Sequence, residues 1–340
     1  MPGPGAFPVD PRRARHLAAA LGALEARFGA GVVRRLRDAP AHDPTDRAVP
    51  SGSVGLDRAT GLGGFPRGHL TELLGPESCG KTTLLHAALA ATQRAGGLVA
   101  LVDAEDGADG ASLAAAGCDL DTLLVVTPTS ARDALLVAII LARCGGLDLL
   151  GFASLAALRD LPPGTRHPRP VEHAALETAG LLTRGLRVLT AAMKDSPTAL
   201  VATNRAQPDA PDAPPHRSTG GLALRHFAAL RVAVTPLAAV PGIDGGLRVR
   251  LTVVKHKLGV GGGRAEVDLV PDGGLDRAEE LARLALAAGL LVPGPYGVAY
   301  AGTSLGGTPA AIRRRLAADP VLADGIRAAL LALPSASRVA

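Results

Sequence analysis

Aromatic residues are nearly absent from this chain of 340 residues: five Phe, two Tyr and no Trp make up 2% of it. Few rings therefore remain that could stack on nucleic-acid bases. Apolar residues still reach 47%, which is ample for a hydrophobic core and excludes a disordered chain. The length allows one large domain or two to three smaller ones.

Cysteine is also scarce, with Cys79, Cys118 and Cys144 as the three in the chain. Their spacing fits no metal-ligand pattern, and any disulfide leaves one of them unpaired, which favours a reducing cytoplasm. Long apolar runs are lacking, because prolines and glycines interrupt the uncharged stretch at residues 284–312, so we expect no membrane association. The net charge of +5 is small for this length and favours a polyanionic partner only weakly.

A glycine-rich turn at residues 75–83 lies between a strand-like run, residues 70–74, and a helix-like stretch, residues 84–95. It fits the phosphate-binding pattern G-x-x-x-x-G-K-[ST] at every fixed position. Backbone N–H groups and a helix N-terminus can surround a phosphate there, Lys81 would reach the β- and γ-phosphates, and Thr82 would offer a hydroxyl to Mg²⁺. The predicted nucleotide-binding residues of this turn are Gly75, Pro76, Glu77, Ser78, Cys79, Gly80, Lys81, Thr82 and Thr83.

Strand-like and helix-like segments alternate after this turn. Apolar strands are predicted at residues 98–102, 123–126, 147–152 and 199–203, with helical patterns such as residues 131–143 between them. This alternation predicts an α/β fold, in which a mostly parallel central sheet is covered by helices on both faces.

The two ends of the chain differ from the middle. Residues 1–47 contain a predicted helix that starts at Asp10-Pro11 and a short strand at residues 32–36, while residues 273–340 indicate a small α+β domain. Residues 48–272 then form the core. The predicted helix carries one apolar stripe, which either packs on the chain's own core or on a neighbouring subunit: Leu17, Leu21, Leu24 and Phe28.

Four segments resemble the bacterial RecA recombinase family: residues 17–25, Leu-Ala-Ala-Ala-Leu-Gly-Ala-Leu-Glu; residues 75–83; residues 102–106, Val-Asp-Ala-Glu-Asp; and residues 218–225, Ser-Thr-Gly-Gly-Leu-Ala-Leu-Arg. The resemblance extends over about residues 15–333. It implies a RecA-like ATP-binding core that uses ATP and Mg²⁺. It also implies a filament that holds single-stranded DNA in loops facing its axis, with a role in DNA recombination and repair.

The resemblance also assigns roles at the nucleotide. Glu105 and Lys81 match the catalytic residues, and Glu105 is the carboxylate that would activate the attacking water. It follows a buried strand whose end would face the phosphates. Asp109 falls where the family binds adenine. Lys255 and Lys257 match a pair that reaches the nucleotide of the adjacent subunit; without the family context they would be a solvated edge of a strand.

Two proline-rich interruptions correspond to the DNA loops of the family. The first spans residues 162–173 and the second spans residues 205–221, for which a stiff surface loop without a ligand is the alternative. The predicted DNA-binding residues are Arg166, Arg169, Arg217, Thr219, Gly220 and Gly221.

Three positions depart from the family pattern. Ala153 stands where an aspartate supports Mg²⁺, Arg205 replaces a glutamine that senses the γ-phosphate, and Ser112 replaces a tyrosine that stacks on adenine. Together they predict weak or absent hydrolysis. Two hypotheses follow: a recombination and repair protein that binds ATP and single-stranded DNA, or a non-hydrolysing RecA paralogue that acts as an accessory module with repair or mutagenesis proteins in the DNA damage response.

Overall fold

The structure, a computed structural model, describes residues 10–29, 32–33, 47–158, 171–194, 196–207, 217–218, 222–271, 273–294 and 296–334. The chain divides into two compact units, Met1–Pro44 and Thr45–Ala340.

The first unit contains helix α1 (Pro11–Phe28). Asp10 caps it as predicted, since its carboxylate accepts the backbone N–H of Arg12 at 2.9 Å, and proline occupies the first helical position. No residue of α1 is buried. The strand predicted at residues 32–36 is wrong for residues 32 and 33, which form a bend and pair with no strand in the described ranges. Residues 34–36 lie outside those ranges.

The second unit holds the other elements. Its strands are β1 (Ala48–Val49), β2 (Phe65–Pro66), β3 (Leu70–Gly75), β4 (Val99–Asp103), β5 (Leu124–Val126), β6 (Leu149–Ala153), β7 (Ala199–Gln207), β8 (Arg217–Ser218), β9 (Leu230–Ala239), β10 (Leu247–His256), β11 (Arg264–Val270), β12 (Gly274–Leu275), β13 (Val292–Gly294), β14 (Gly297–Tyr300) and β15 (Thr303–Gly306). Its helices are α2 (Val54–Thr60), α3 (Lys81–Arg94), α4 (Gly110–Ala115), α5 (Ala131–Arg143), α6 (Val171–Met193), α7 (Leu222–Phe227), α8 (Arg277–Ala287), α9 (Pro309–Ala318) and α10 (Pro320–Ala332).

One mixed sheet organises the unit, with the strand order β12-β11-β10-β9-β3-β7-β6-β4-β5 and with β8 beside β7. The strands from β9 to β5 in this order pair in parallel, whereas β10, β11 and β12 extend the sheet in antiparallel pairs. The α/β prediction with a mostly parallel sheet is thus confirmed. Because parallel strands end at one edge, the loops after β3, β4, β6 and β7 meet there.

Both faces of the sheet are buried, and the side chains of β4 show how. Val99 and Leu101 pack into one hydrophobic cluster together with residues of α3, while Ala100 and Val102 point the other way and pack with residues of α5 and α6. This alternation follows the two-residue repeat of a strand. It produces the helix–sheet–helix layers expected of a parallel sheet.

The C-terminal elements α8 to α10 share a separate hydrophobic cluster, which also includes Val54 of α2. Strands β13 to β15 form a small sheet of their own beside these helices. The domain boundary at residue 273 stays a prediction. No helix within the described ranges is long and apolar enough to cross a membrane.

Candidate functional site

The glycine-rich turn connects β3 to α3 at the edge where the parallel strands end, as the sequence predicts. Gly80 precedes the helix in the left-handed region, with φ of +88°. A Cβ on Gly80 would lie 2.0 Å from Cδ1 of Leu269, and one on Gly75 would lie 2.5 Å from the carbonyl oxygen of Val234. Only glycine therefore fits at these two positions without displacing neighbouring atoms.

Lys81 turns back into this loop. Its ammonium group donates hydrogen bonds to the carbonyl oxygens of Gly75, at 3.2 Å, and Pro76. The first turn of α3 carries no acidic side chain, and no side chain caps it. The start of α3 and the Lys81 ammonium thus lie together in this turn, which is an arrangement suited to a polyphosphate.

Two other residues of the loop differ in accessibility. Thr82 is exposed, so its hydroxyl can reach a ligand, while Cys79 is buried. Burial raises the pKa of the Cys79 thiol, although the neighbouring Lys81 charge opposes the shift. Cys79 is therefore a packing residue rather than a reactive thiolate at neutral pH.

Glu105 follows β4 at the same edge, and its carboxylate is exposed. The turn that presents it is held by Asp103, which is buried and accepts the backbone N–H groups of Glu105, at 3.2 Å, and Ala108, at 2.7 Å. Asp103 therefore fixes the backbone while Glu105 keeps its carboxylate in solvent. Sequence reasoning missed this role of Asp103, although an acid that directly ends an apolar strand is a usable signal.

Asp109 caps α4 and bonds to Ser112. Its carboxylate accepts the N–H and the hydroxyl of Ser112, both at 2.9 Å. These hydrogen bonds lower the pKa of Asp109, with the backbone bond to Ser112 as the largest cause. Asp109 is therefore an anion at neutral pH, and one of its oxygens is occupied by Ser112.

Ala153 ends β6 opposite Asp103 and is buried, so the alanine noted in the sequence lies at the same edge. Asp148 does not substitute for a carboxylate there. It lies before the start of β6, where it accepts the N–H of Leu98 and pairs with Arg67, both at 2.8 Å. Within the described ranges no group of three or more His, Cys, Asp or Glu residues could hold a metal ion.

Arg205 lies beside Gly75, since β3 and β7 pair these two residues in register. Its guanidinium forms an ion pair with Glu77 of the loop. The second DNA loop was predicted to begin at residue 205; this is wrong, because β7 continues through Gln207 and pairs with β8.

A buried polar network lies beneath Arg205, and sequence reasoning missed it. Glu72 of β3 bonds to the guanidinium of Arg231 at 2.5 Å and to the side-chain amide of Asn204 at 2.8 Å. Asn204 in turn accepts the backbone N–H of Arg205 at 2.9 Å. The signal was present in the sequence, because Glu72 and Arg231 are charged residues inside otherwise apolar strands.

Lys255 and Lys257 point to the same side, as predicted, although β10 ends at His256. Both donate to the carbonyl oxygen of His226 at the end of α7, at 3.2 and 2.7 Å, and Lys255 also donates to that of Arg225. Burial, followed by the Lys257 charge, lowers the pKa of Lys255 to about 8. The last carbonyls of a helix attract cations, which accounts for their position.

Of the predicted DNA-binding residues, the structure describes Arg217. Arg217 lies in β8, where its backbone pairs with Gln207. The remaining predicted DNA-binding residues lie outside the described ranges: Arg166, Arg169, Thr219, Gly220 and Gly221.

The amino-acid sequence of this chain is similar to those of known proteins. Residues 15–276 match the family model described as RecA N-terminal domain. A Protein RecA of Nocardioides is 38% identical over 324 residues, which cover 94% of this chain and 91% of that protein. A Protein RecA of Kineococcus radiotolerans is 36% identical over 327 residues, covering 94% and 92%. The Protein RecA of Thermus thermophilus is 34% identical over 330 residues, covering 95% of each chain.

Proposed function

Because the chain belongs to the RecA family, we propose that it acts in DNA recombination and repair by binding ATP with Mg²⁺ and single-stranded DNA, with hydrolysis impaired. The observation that carries the proposal is the geometry of the phosphate loop, in which two obligatory glycines and the ammonium of Lys81 surround one concave turn. This loop fits the triphosphate of a nucleotide.

Each residue then has a task at that nucleotide. Backbone N–H groups of the loop hold the phosphates, and Lys81 exchanges its carbonyl partners for β- and γ-phosphate oxygens. Thr82 would help to hold Mg²⁺, which would supply charge neutralisation when bound. We assign Asp109 to accept a hydrogen bond from the base and Glu105 to accept a proton from water.

The proposal of impaired hydrolysis is based on the residues that end β4 and β6. Glu105 is the one exposed carboxylate at the end of β4 that the resemblance assigns to catalysis, and β6 ends in Ala153. Because Ala153 is not a carboxylate, the chain offers one side chain fewer that would hold Mg²⁺, so the ion would be less constrained. Ala153 also favours the second function, a paralogue that binds nucleotide without turnover and works through repair or mutagenesis proteins.

DNA contacts are proposed for both proline-rich segments. Arg166, Arg169 and Arg217 would pair with phosphates, and the turn Thr219-Gly220-Gly221 would offer backbone N–H groups before α7. Lys255 and Lys257 are proposed to reach the nucleotide of an adjacent subunit.

Self-association is proposed through two apolar surfaces, each exposed within its own unit. One is the stripe on α1; the other lies on β5, at the edge of the main sheet, and on α5. The exposed side chains are Leu17, Leu24 and Phe28 on the first surface and Leu124, Val125, Leu136 and Ile140 on the second. An α1 helix of one copy that packs on β5 and α5 of the next would generate a filament.

Leu24→Ser with Phe28→Ser tests this contact, because it removes the apolar stripe without touching the second unit. We expect a smaller sedimentation coefficient than for the wild type. Leu286→Ser, a leucine on α8 that is similarly exposed, is the control and should sediment as the wild type does. An unchanged coefficient for the double variant would exclude α1 as the contact.

Fluorescence anisotropy of a labelled single strand, with and without ATP, tests the proposed function. We expect ATP to tighten binding to the wild type and to have no effect on Lys81→Ala, because that variant lacks the phosphate-binding ammonium. Lys194→Ala, which removes an exposed lysine just after α6, should behave as the wild type does. If ATP leaves the DNA affinity of all three proteins unchanged, the proposal is refuted.

A further inference from the structure

A second concave surface lies at the far end of the helix that begins at the phosphate loop. It is a cavity of about 1550 Å³ between the end of α3, the residues after α4, and the helices α8, α9 and α10. The 14 residues of α3 place Arg94 about 20 Å from Lys81. The cavity is therefore separate from the nucleotide site.

Five arginines and four carboxylates line this cavity: Arg94, Arg277, Arg313, Arg314 and Arg327, and Asp244, Asp276, Glu280 and Asp324. Burial, then the charge of Arg94, lowers the pKa of Arg277 to about 10. The pKa of Arg94 is lowered by burial and by the charge of Arg327. Guanidinium groups remain protonated at neutral pH, so three positive charges lie near one another, with Arg277 and Arg327 half-buried and Arg94 exposed.

Two of the cavity arginines are already paired with carboxylates, Arg313 with Asp276 at 3.3 Å and Arg327 with Asp57 at 3.4 Å. Glu280 accepts hydrogen bonds from the start of α2. Asp324 acts on Arg94 electrostatically without a hydrogen bond. None of the carboxylates in the described ranges accepts a hydrogen bond from Arg94 or Arg277.

Arg277 is the clearest case of an unsatisfied cation. One of its terminal nitrogens donates to the carbonyl oxygen of Ala116 at 3.1 Å. Its Nε is buried and has no hydrogen-bond partner in the described structure. A buried donor on a charged group is destabilising unless an acceptor satisfies it, and an anion beside the terminal nitrogens would compensate the charge of this guanidinium.

We propose that this cavity binds a small phosphorylated molecule with at least two anionic groups, held by Arg94 and Arg277. The guanidinium fork matches two phosphate oxygens at once, which a neutral lining could not do. The volume exceeds the roughly 300–1000 Å³ of ordinary ligand sites, so a molecule of nucleotide size fits. Apolar residues such as Ala91, Leu281 and Leu331 line the remaining wall.

Equilibrium dialysis with radiolabelled inorganic pyrophosphate counts the sites. We expect two per wild-type chain, one at the phosphate loop and one in the cavity. The Arg94→Gln, Arg277→Gln variant should keep only the site at the phosphate loop, and Lys81→Ala should keep only the site in the cavity. The triple variant should bind no pyrophosphate. Arg132→Gln with Arg143→Gln removes two exposed arginines of α5 outside the cavity and should keep both sites.

Two sites in the Arg94→Gln, Arg277→Gln chain, or none in Lys81→Ala, would overturn the proposal. If the wild type and Lys81→Ala each bind one pyrophosphate, the phosphate loop has failed while the cavity has not. Arg277→Lys in the Lys81→Ala background covers the case in which the double variant does not fold. It keeps the charge but loses the fork, so pyrophosphate affinity should fall at least about fivefold; unchanged affinity would contradict the proposal.

Discussion

The ion pair between Arg205 and Glu77 joins the end of β7 to the phosphate loop. Both side chains are more than half exposed, at 56% and 67%, so the pair contributes only about 0–1 kcal/mol. Arg205 is held in place by its backbone bond to Asn204, whose amide is fixed by buried Glu72. A guanidinium that is fixed at its base and exposed in its ion pair can exchange Glu77 for a phosphate.

Glu77→Gln should therefore strengthen ATP binding. The neutral side chain no longer competes for Arg205, so we expect the Kd for ATP to fall about fivefold, equivalent to about 1 kcal/mol, with little change for ADP. Arg205→Gln should weaken ATP binding by a similar factor. Isothermal titration measures both, with Arg132→Gln as the control. Equal changes for ATP and ADP would show that Arg205 does not contact the terminal phosphate.

At the scale of elements, one buried carboxylate fastens helix α8 to helix α2. Glu280 accepts the hydroxyl of Ser53 at 2.5 Å and the N–H groups of Val54, at 3.1 Å, and Gly55, at 2.9 Å. Burial is the main cause that raises the pKa of Glu280 to about 7. Asp57, in the same helix α2, pairs with Arg327 and has a pKa raised by burial to about 6.

The raised pKa of Glu280 predicts the direction of a pH effect. The folded chain binds a proton that the unfolded chain, with a glutamate pKa of about 4.3, has released. The stability from this group is fully present below about pH 4.3 and is lost as the pH rises through about 7. Glu280→Gln should flatten the decline in the free energy of unfolding over that window, by about 4 kcal/mol at most.

Urea unfolding between pH 5 and pH 8 measures the effect. Glu279→Gln is the matched control on the same helix and should keep the wild-type slope. A Glu280→Gln chain with the same pH slope as the wild type would mean that Glu280 stays ionised in the folded protein.

At the scale of the molecule, the sequence predicts the parts of the site that depend on local pattern. The phosphate loop lies between strand and helix, and Glu105 and Ala153 lie at the ends of neighbouring strands, because the order of elements and the strand direction decide both. The bonds of Glu72 to Arg231 and of Glu77 to Arg205 join residues 159 and 128 positions apart. They depend on the strand order of the sheet, in which β7 and β9 flank β3, and local pattern does not contain that order.

Turnover of ATP in the presence of single-stranded DNA tests the central claim most directly, that residues 75–83 hold a nucleotide which the protein barely consumes. Phosphate release should be measured for the wild type, Lys81→Ala and Ala153→Asp, together with ATP binding by each. We predict that the wild type binds ATP but releases phosphate no faster than Lys81→Ala, and that Ala153→Asp raises the rate. DNA-stimulated release by the wild type that is lost in Lys81→Ala would contradict the account.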